Sequence, residues 1–178
     1  DQQKMKEEYQ KILDSEGDLD AIIAQREKEY TEQKKREDEE KIITEKGFMF
    51  PVALDGFVYL SSGYKMRWHP ITGRYTLHNG VDLASYAGTR IFASKSGVVT
   101  TSTYSNSWGN YVVINHGDGY STLYGHMQSR AVKVGDVVKQ GQVIGYVGST
   151  GWSTGPHLHF TIYYNGSTVN PIDYINIP

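Results

Sequence analysis

All six histidines of this 178-residue chain, and 18 of its 19 glycines, lie after residue 46, whereas the first 46 residues hold one glycine, Gly17, and no proline. Two kinds of structure follow. A stretch of helix formers without turn residues favours helix, and a stretch punctuated by glycine-centred turns favours short strands. Charge divides at the same place: residues 1–46 carry 15 acids and 10 bases, net −5, and residues 47–178 carry 5 acids and 8 bases, net +3. We expect a helical segment over 1–46 and a mainly β, antiparallel domain over 47–178, which is one ordinary domain with an appendage.

Within the first segment Met5, Tyr9, Ile12, Leu19, Ile23 and Tyr30 recur at spacings of four, three and seven, the seam of a coiled coil or helix pair, with Glu16 and Arg26 interrupting it. Gly17 followed by Asp18 predicts a stop and restart. Thr31–Lys41 holds no apolar residue and predicts a solvated helix held by i,i+4 pairs. In the second segment Arg90–Ala93, Gly97–Val99, Tyr111–Ile114 and Ser121–Tyr124 predict strands. Residues 131–148 give two short valine-rich strands around turns at Gly135-Asp136 and Gln140-Gly141. That hairpin pattern also occurs in lipoyl and biotinyl carrier domains, but no modifiable lysine is displayed between the strands. Asn165-Gly166 predicts a type I′ hairpin turn rather than a glycan acceptor.

The absence of cysteine removes thiol nucleophiles, cysteine-ligated metals and disulfides. The last glutamate is Glu45, so the β-domain has only Asp55, Asp82, Asp118, Asp136 and Asp173 as acids. A helical His-Glu-x-x-His zinc site is excluded, and no aspartate pair has the look of a glycosidase couple. No Gly-x-Ser-x-Gly elbow occurs, and the glycine-rich 145–151 stretch lacks a phosphate-binding ending and reads as a turn beside the site. No stretch approaches the ~18 apolar residues of a membrane span. The chain opens at Asp1 without a methionine and reads as a fragment, with any signal or anchor upstream.

The histidines supply the chemistry. The strand period of two sends His157, His159, Thr161 and Tyr163 to one face and Leu158, Phe160 and Ile162 to the other. In His78-Asn-Gly-Val-Asp82 the Asn-Gly pair predicts a turn folding His78 toward Asp82. Two such pairs, with no cysteine to close a structural site, point to a zinc ion with three protein ligands and an open position. His69 and His116 have no ligand-spaced partner and read as structural or groove-lining. Asp118, Asp136 and Asp173 read as turn residues.

Taken in order, His78-x-x-x-Asp82, Tyr124-Gly125-His126 and His157-x-His159 resemble the motifs of the LytM/lysostaphin-type zinc endopeptidases, peptidase family M23, over residues 48–178. The resemblance implies a barrel-sandwich-like antiparallel β-domain and one zinc ion held by His78, Asp82 and His159. It also implies that His126 and His157 are catalytic, as base or proton shuttle and as stabilisers of the oxyanion. The implied reaction is hydrolysis of peptidoglycan stems or cross-bridges by an exported protein, with the choice between Gly-Gly bridges and D-Ala cross-links left open. The partner is a wall peptide and not a nucleic acid. The helical segment resembles a cell-division subset of the family, which implies docking on a membrane or divisome protein or covering of the site. Relatives in that subset that have lost zinc ligands act by activating an amidase, and a non-catalytic role of that kind is the alternative reading.

Overall fold

The computed structural model describes residues 46–178 and, earlier in the chain, residues 24–26, 28, 29, 31 and 32. The chain divides into two units, residues 1–41 and 42–178. In the first, the described residues are helical and exposed, and Gln25 Nε2 donates to Glu29 Oε1 at 2.9 Å, one of the expected i,i+4 pairs. The seam from Met5 to Tyr30 and the restart at Gly17 lie outside the described residues. No helix among the described residues is long and apolar enough to cross a membrane.

The second unit is built from strands β1 (Phe57–Ser62), β2 (Lys65–Trp68), β3 (Tyr75–His78), β4 (Val81–Ser85), β5 (Arg90–Phe92), β6 (Gly97–Ser105), β7 (Gly109–Gly117), β8 (Tyr120–Arg130), β9 (Val137–Val138), β10 (Val143–Val147), β11 (His157–Tyr164) and β12 (Ser167–Val169). The main sheet runs β1-β4-β11-β8-β7-β6-β9, all antiparallel. β12 returns alongside β11 through Asn165-Gly166, whose φ values of 48° and 82° are the two positive angles a type I′ turn needs.

Strand β11 shows why these residues choose this sheet. Leu158, Phe160 and Ile162 are fully buried on its core face, with Phe160 against the Tyr124 ring at 5.4 Å between centroids. His157, His159 and Thr161 take the other face, as the period of two requires. Tyr124 is buried as well, and its hydroxyl accepts from the Ser94 amide at 2.8 Å and lies 2.9 Å from Thr122 Oγ1. Thr122 Oγ1 is in turn 2.7 Å from Nε2 of His116, which donates from Nδ1 to the Ser96 carbonyl. His116 is therefore structural, tying β7 to β8.

β8 changes partners along its length. It pairs with β11 up to Gly125 and with β10 from Met127, and between them His126 has φ 61°, uncommon for a residue with a side chain. The valine-rich strands differ from expectation: β9 pairs with β6 and β10 with β5 and β8, so they form no hairpin with each other. Their local pattern is that of a hairpin, but β9 closes the β6 edge instead, where Val138 is buried. Asp136 is the turn residue expected, its Oδ2 accepting from the Lys133 amide at 2.9 Å. Asp118, with φ 49°, makes the β7–β8 turn with Gly117 and Gly119.

Strands β2 and β3 form a separate hairpin. Its register sets Lys65 opposite His78 and Arg67 opposite Thr76 on one face, and Met66 opposite Leu77 and Trp68 opposite Tyr75 on the other. The second four are exposed.

Candidate metal centre and groove

β3 ends at His78 and β4 begins at Val81, so the two residues between, Asn79-Gly80, turn the chain and His78 faces Asp82, as the sequence predicts. Gly80 is required by space: a Cβ there would meet the Phe160 carbonyl and Thr161 Oγ1 of β11. That close approach brings His159 to the same point. His78 Nε2 lies 3.1 Å from Asp82 Oδ1 and 3.2 Å from His159 Nδ1, and His159 Nδ1 lies 2.9 Å from Asp82 Oδ1. All three residues are buried.

The outer partners decide what these atoms can do. His78 Nδ1 faces the Gly63 carbonyl at 2.8 Å, and a carbonyl only accepts, so Nδ1 carries the proton and Nε2 presents its lone pair. Nε2 of His159 is 2.9 Å from Thr161 Oγ1, which accepts its proton when Nδ1 is left bare. Burial alone would raise the Asp82 carboxyl, but a proton on the facing nitrogen of His159 or His78 outweighs it, which holds the group well below the usual carboxylate range and keeps it ionised. Burial pushes the His159 imidazole down, against the pull of Asp82. With those facing nitrogens bare, two neutral imidazoles and a carboxylate aim acceptor atoms at one point, an arrangement that favours a cation in place of the proton. Ligand atoms of a tetrahedral zinc lie about 3.3 Å apart for bond lengths of about 2.0–2.1 Å. The observed separations of 2.9–3.2 Å fit such an ion after a small outward shift.

A groove of about 350 Å³ opens over this point, lined among others by Trp108, Trp152, His69 and Arg67. His126 and His157 stand beside the three, their rings 4.7 Å apart, and His157 Nε2 is 3.6 Å from Asp82 Oδ1. His126 Nδ1 donates to the Thr150 carbonyl at 2.7 Å and His157 Nδ1 to the Gly155 carbonyl at 2.8 Å, so both present Nε2 as a proton acceptor. Of the 145–151 stretch expected as a turn, residues 145–147 belong to β10, because Gly145 and Tyr146 pair with β5 and β8. Only 148–151 turn beside the site, where the Thr150 carbonyl holds His126.

Residues 76–171 match the sequence model of Peptidase family M23. The chain belongs to that family. Over 105 residues it is 50% identical to the peptidoglycan DD-endopeptidase ShyC of Vibrio cholerae, an alignment covering 59% of this chain and 24% of ShyC. A solved zinc-containing peptidase from Vibrio cholerae shares the fold at TM-score 0.65 and 33% identity, covering 76% of this chain and 46% of that one. The catalytic domain of lysostaphin from Staphylococcus simulans does so at TM-score 0.58 and 36% identity, covering 65% and 90%. The chain spans about a quarter of the length of ShyC.

In this M23 domain the five residues singled out from the sequence, His78, Asp82, His126, His157 and His159, all meet at the groove. His69 lines it, its Nδ1 accepting from the Ile71 and Thr72 amides and its ring 5.9 Å from that of Trp152. Thr161 and Arg67 have parts that the sequence reading did not assign. The period of two placed Thr161 on the ligand face, which is a usable signal; Arg67 carries none, because its contact with Asp82 depends on the hairpin's tertiary position. Removing the Thr161 hydroxyl tests its part. Thr161→Val should keep the fold and weaken zinc binding by about 10–100-fold in a chelator competition, whereas unchanged affinity would show that His159 needs no such partner.

Proposed function

We propose that residues 47–178 form a zinc-dependent endopeptidase that cuts peptide bonds in the stems or cross-bridges of bacterial peptidoglycan, with one zinc ion held by His78, Asp82 and His159. The observation carrying this reading is the convergence of three acceptor atoms, with tautomers set by Gly63 and Thr161, beside two imidazoles that each keep Nε2 bare. Zinc bound there supplies Lewis acidity at neutral pH. His126 and His157 divide the proton work: a bare Nε2 takes the proton of the attacking water, and once protonated it donates to the oxyanion or to the leaving amine. The domain has no glutamate for this task, so an imidazole is the available base. The name of ShyC favours the DD bond among the candidates. Such a substrate puts the working protein outside the cytoplasmic membrane, in the periplasm or cell wall. We assign residues 1–46 to docking on a membrane or divisome partner. The complete ligand set weighs against a purely amidase-activating role.

Purified sacculi incubated with the zinc-loaded chain should lose cross-linked muropeptides and gain free amino groups, and 1,10-phenanthroline should stop both. Unchanged sacculi with one zinc per chain would overturn the reading.

A pH effect follows from His126. Burial, and then the neighbouring His157, push its imidazole down to about 4. The unfolded imidazole takes its proton near 6.5, so between those values the unfolded chain binds more protons and folded stability declines as pH falls. Melting temperature should drop more steeply from pH 6.5 to 4 in wild type than in His126→Asn, an exchange that tolerates the positive φ. Parallel curves would remove His126 as the cause.

A further inference from the structure

Arg67, in β2, donates from Nη2 to Asp82 Oδ2 at 3.3 Å, the carboxylate oxygen that His78 and His159 do not use. A guanidinium carries five N–H donors in a fixed fork. Among the described residues Asp82 takes one of them, and no other acceptor meets the rest. The side chain is 27% exposed, and Arg67 is the sole lysine or arginine among the described residues lining the groove. The hairpin register fixes its direction, since Arg67 shares a face with His78 two residues along the opposite strand. The other lining residues, Trp108, Trp152, Ser153 and Thr154 among them, bring no second fixed positive charge. Charge selection in this groove is therefore concentrated at one point.

We propose that Arg67 reads a carboxylate on the substrate residue beside the bond that is cut, so that the chain prefers stems in which this carboxylate is free over stems in which it is amidated. The proposal rests on the peptidoglycan reading. Only the width of the Asp82 carboxylate separates the guanidinium from the ligand atoms, and one extended residue spans about 3.3–3.6 Å. A group on the neighbouring residue thus reaches Arg67 while the scissile carbonyl sits at the ligand cluster. The guanidinium edge turned from Asp82 presents parallel N–H groups, which match two carboxylate oxygens; a carboxamide offers one acceptor and turns an NH2 toward donors. The Asp82 charge opposes a second anion, which confines it to the N–H groups that Asp82 leaves unused.

The test uses two synthetic cross-linked stem peptides that differ only in amidation of that carboxylate, with zinc per chain measured for each protein. Zinc-loaded wild type should cleave the free acid with a kcat/KM about 10-fold or more above the amide, as befits a hydrogen bond to a charged group. Arg67→Gln should lose the preference chiefly through a higher KM on the free acid, at wild-type zinc content, and Arg67→Lys should keep part of it. Equal cleavage by wild type, or a preference retained in Arg67→Gln, overturns the proposal. So does loss of zinc from Arg67→Gln, which would make the residue a support for Asp82 alone. Cleavage of neither peptide by zinc-loaded wild type overturns the underlying reading instead.

Discussion

His159→Ala is expected to lower peptidoglycan cleavage on the order of 10⁴-fold, equivalent to about 5 kcal/mol on the barrier. The residue contributes one of the three converging acceptor atoms, so its removal leaves two, and zinc content should fall from one per chain toward none. The β11 backbone still pairs with β4 and β8, and the core face of the strand is untouched, so circular dichroism should be that of wild type. His69→Ala is the matched control: that ring lines the same groove without facing the cluster, and its loss should leave zinc content unchanged. Full activity in His159→Ala would remove the metal from the mechanism.

The largest expected loss of stability comes from the other face of the same strand. Phe160 is fully buried and stacks at an angle on Tyr124. Truncating such a side chain costs about 3–5 kcal/mol through lost burial and the cavity left behind, out of a domain total of about 5–15. Phe160→Ala should therefore lower the melting temperature by about 10–20 °C. Zinc binding should weaken with it, because Phe160 lies between His159 and Thr161. Val137→Ala, at a site 77% exposed, should change stability by no more than about 0.5 kcal/mol. A Phe160→Ala melt within a few degrees of wild type would mean that the sheet interior repacks more freely than its burial suggests.

Much of this site was legible in sequence because its signals are local. The strand period placed His157, His159 and Thr161 on one face, and Asn79-Gly80 folded His78 back on Asp82. The type I′ turn at Asn165 was equally local. What stayed hidden depends on pairings between distant segments. Nothing near Val137 says that it closes the β6 edge instead of pairing with β10. Nothing near Arg67 says that its hairpin stands apart from the main sheet and leans on Asp82. The positive φ of His126 is set by the change of partner from β11 to β10, an event written in three strands at once.

The strand order has a consequence for when the protein becomes active. Asp82 and His159 are 77 residues apart in sequence, yet β4 and β11 are neighbours, and β11 is also held by β8. Pairing over such a distance is slow to form, because the intervening chain must be closed into a loop before any contact rewards it. No portion of the chain ending before β11 holds more than two of the three ligand residues or completes the sheet that positions them. A chain cut short before β11 is therefore expected to bind no zinc at this point, because the three ligand atoms come together only where β11 lies between β4 and β8.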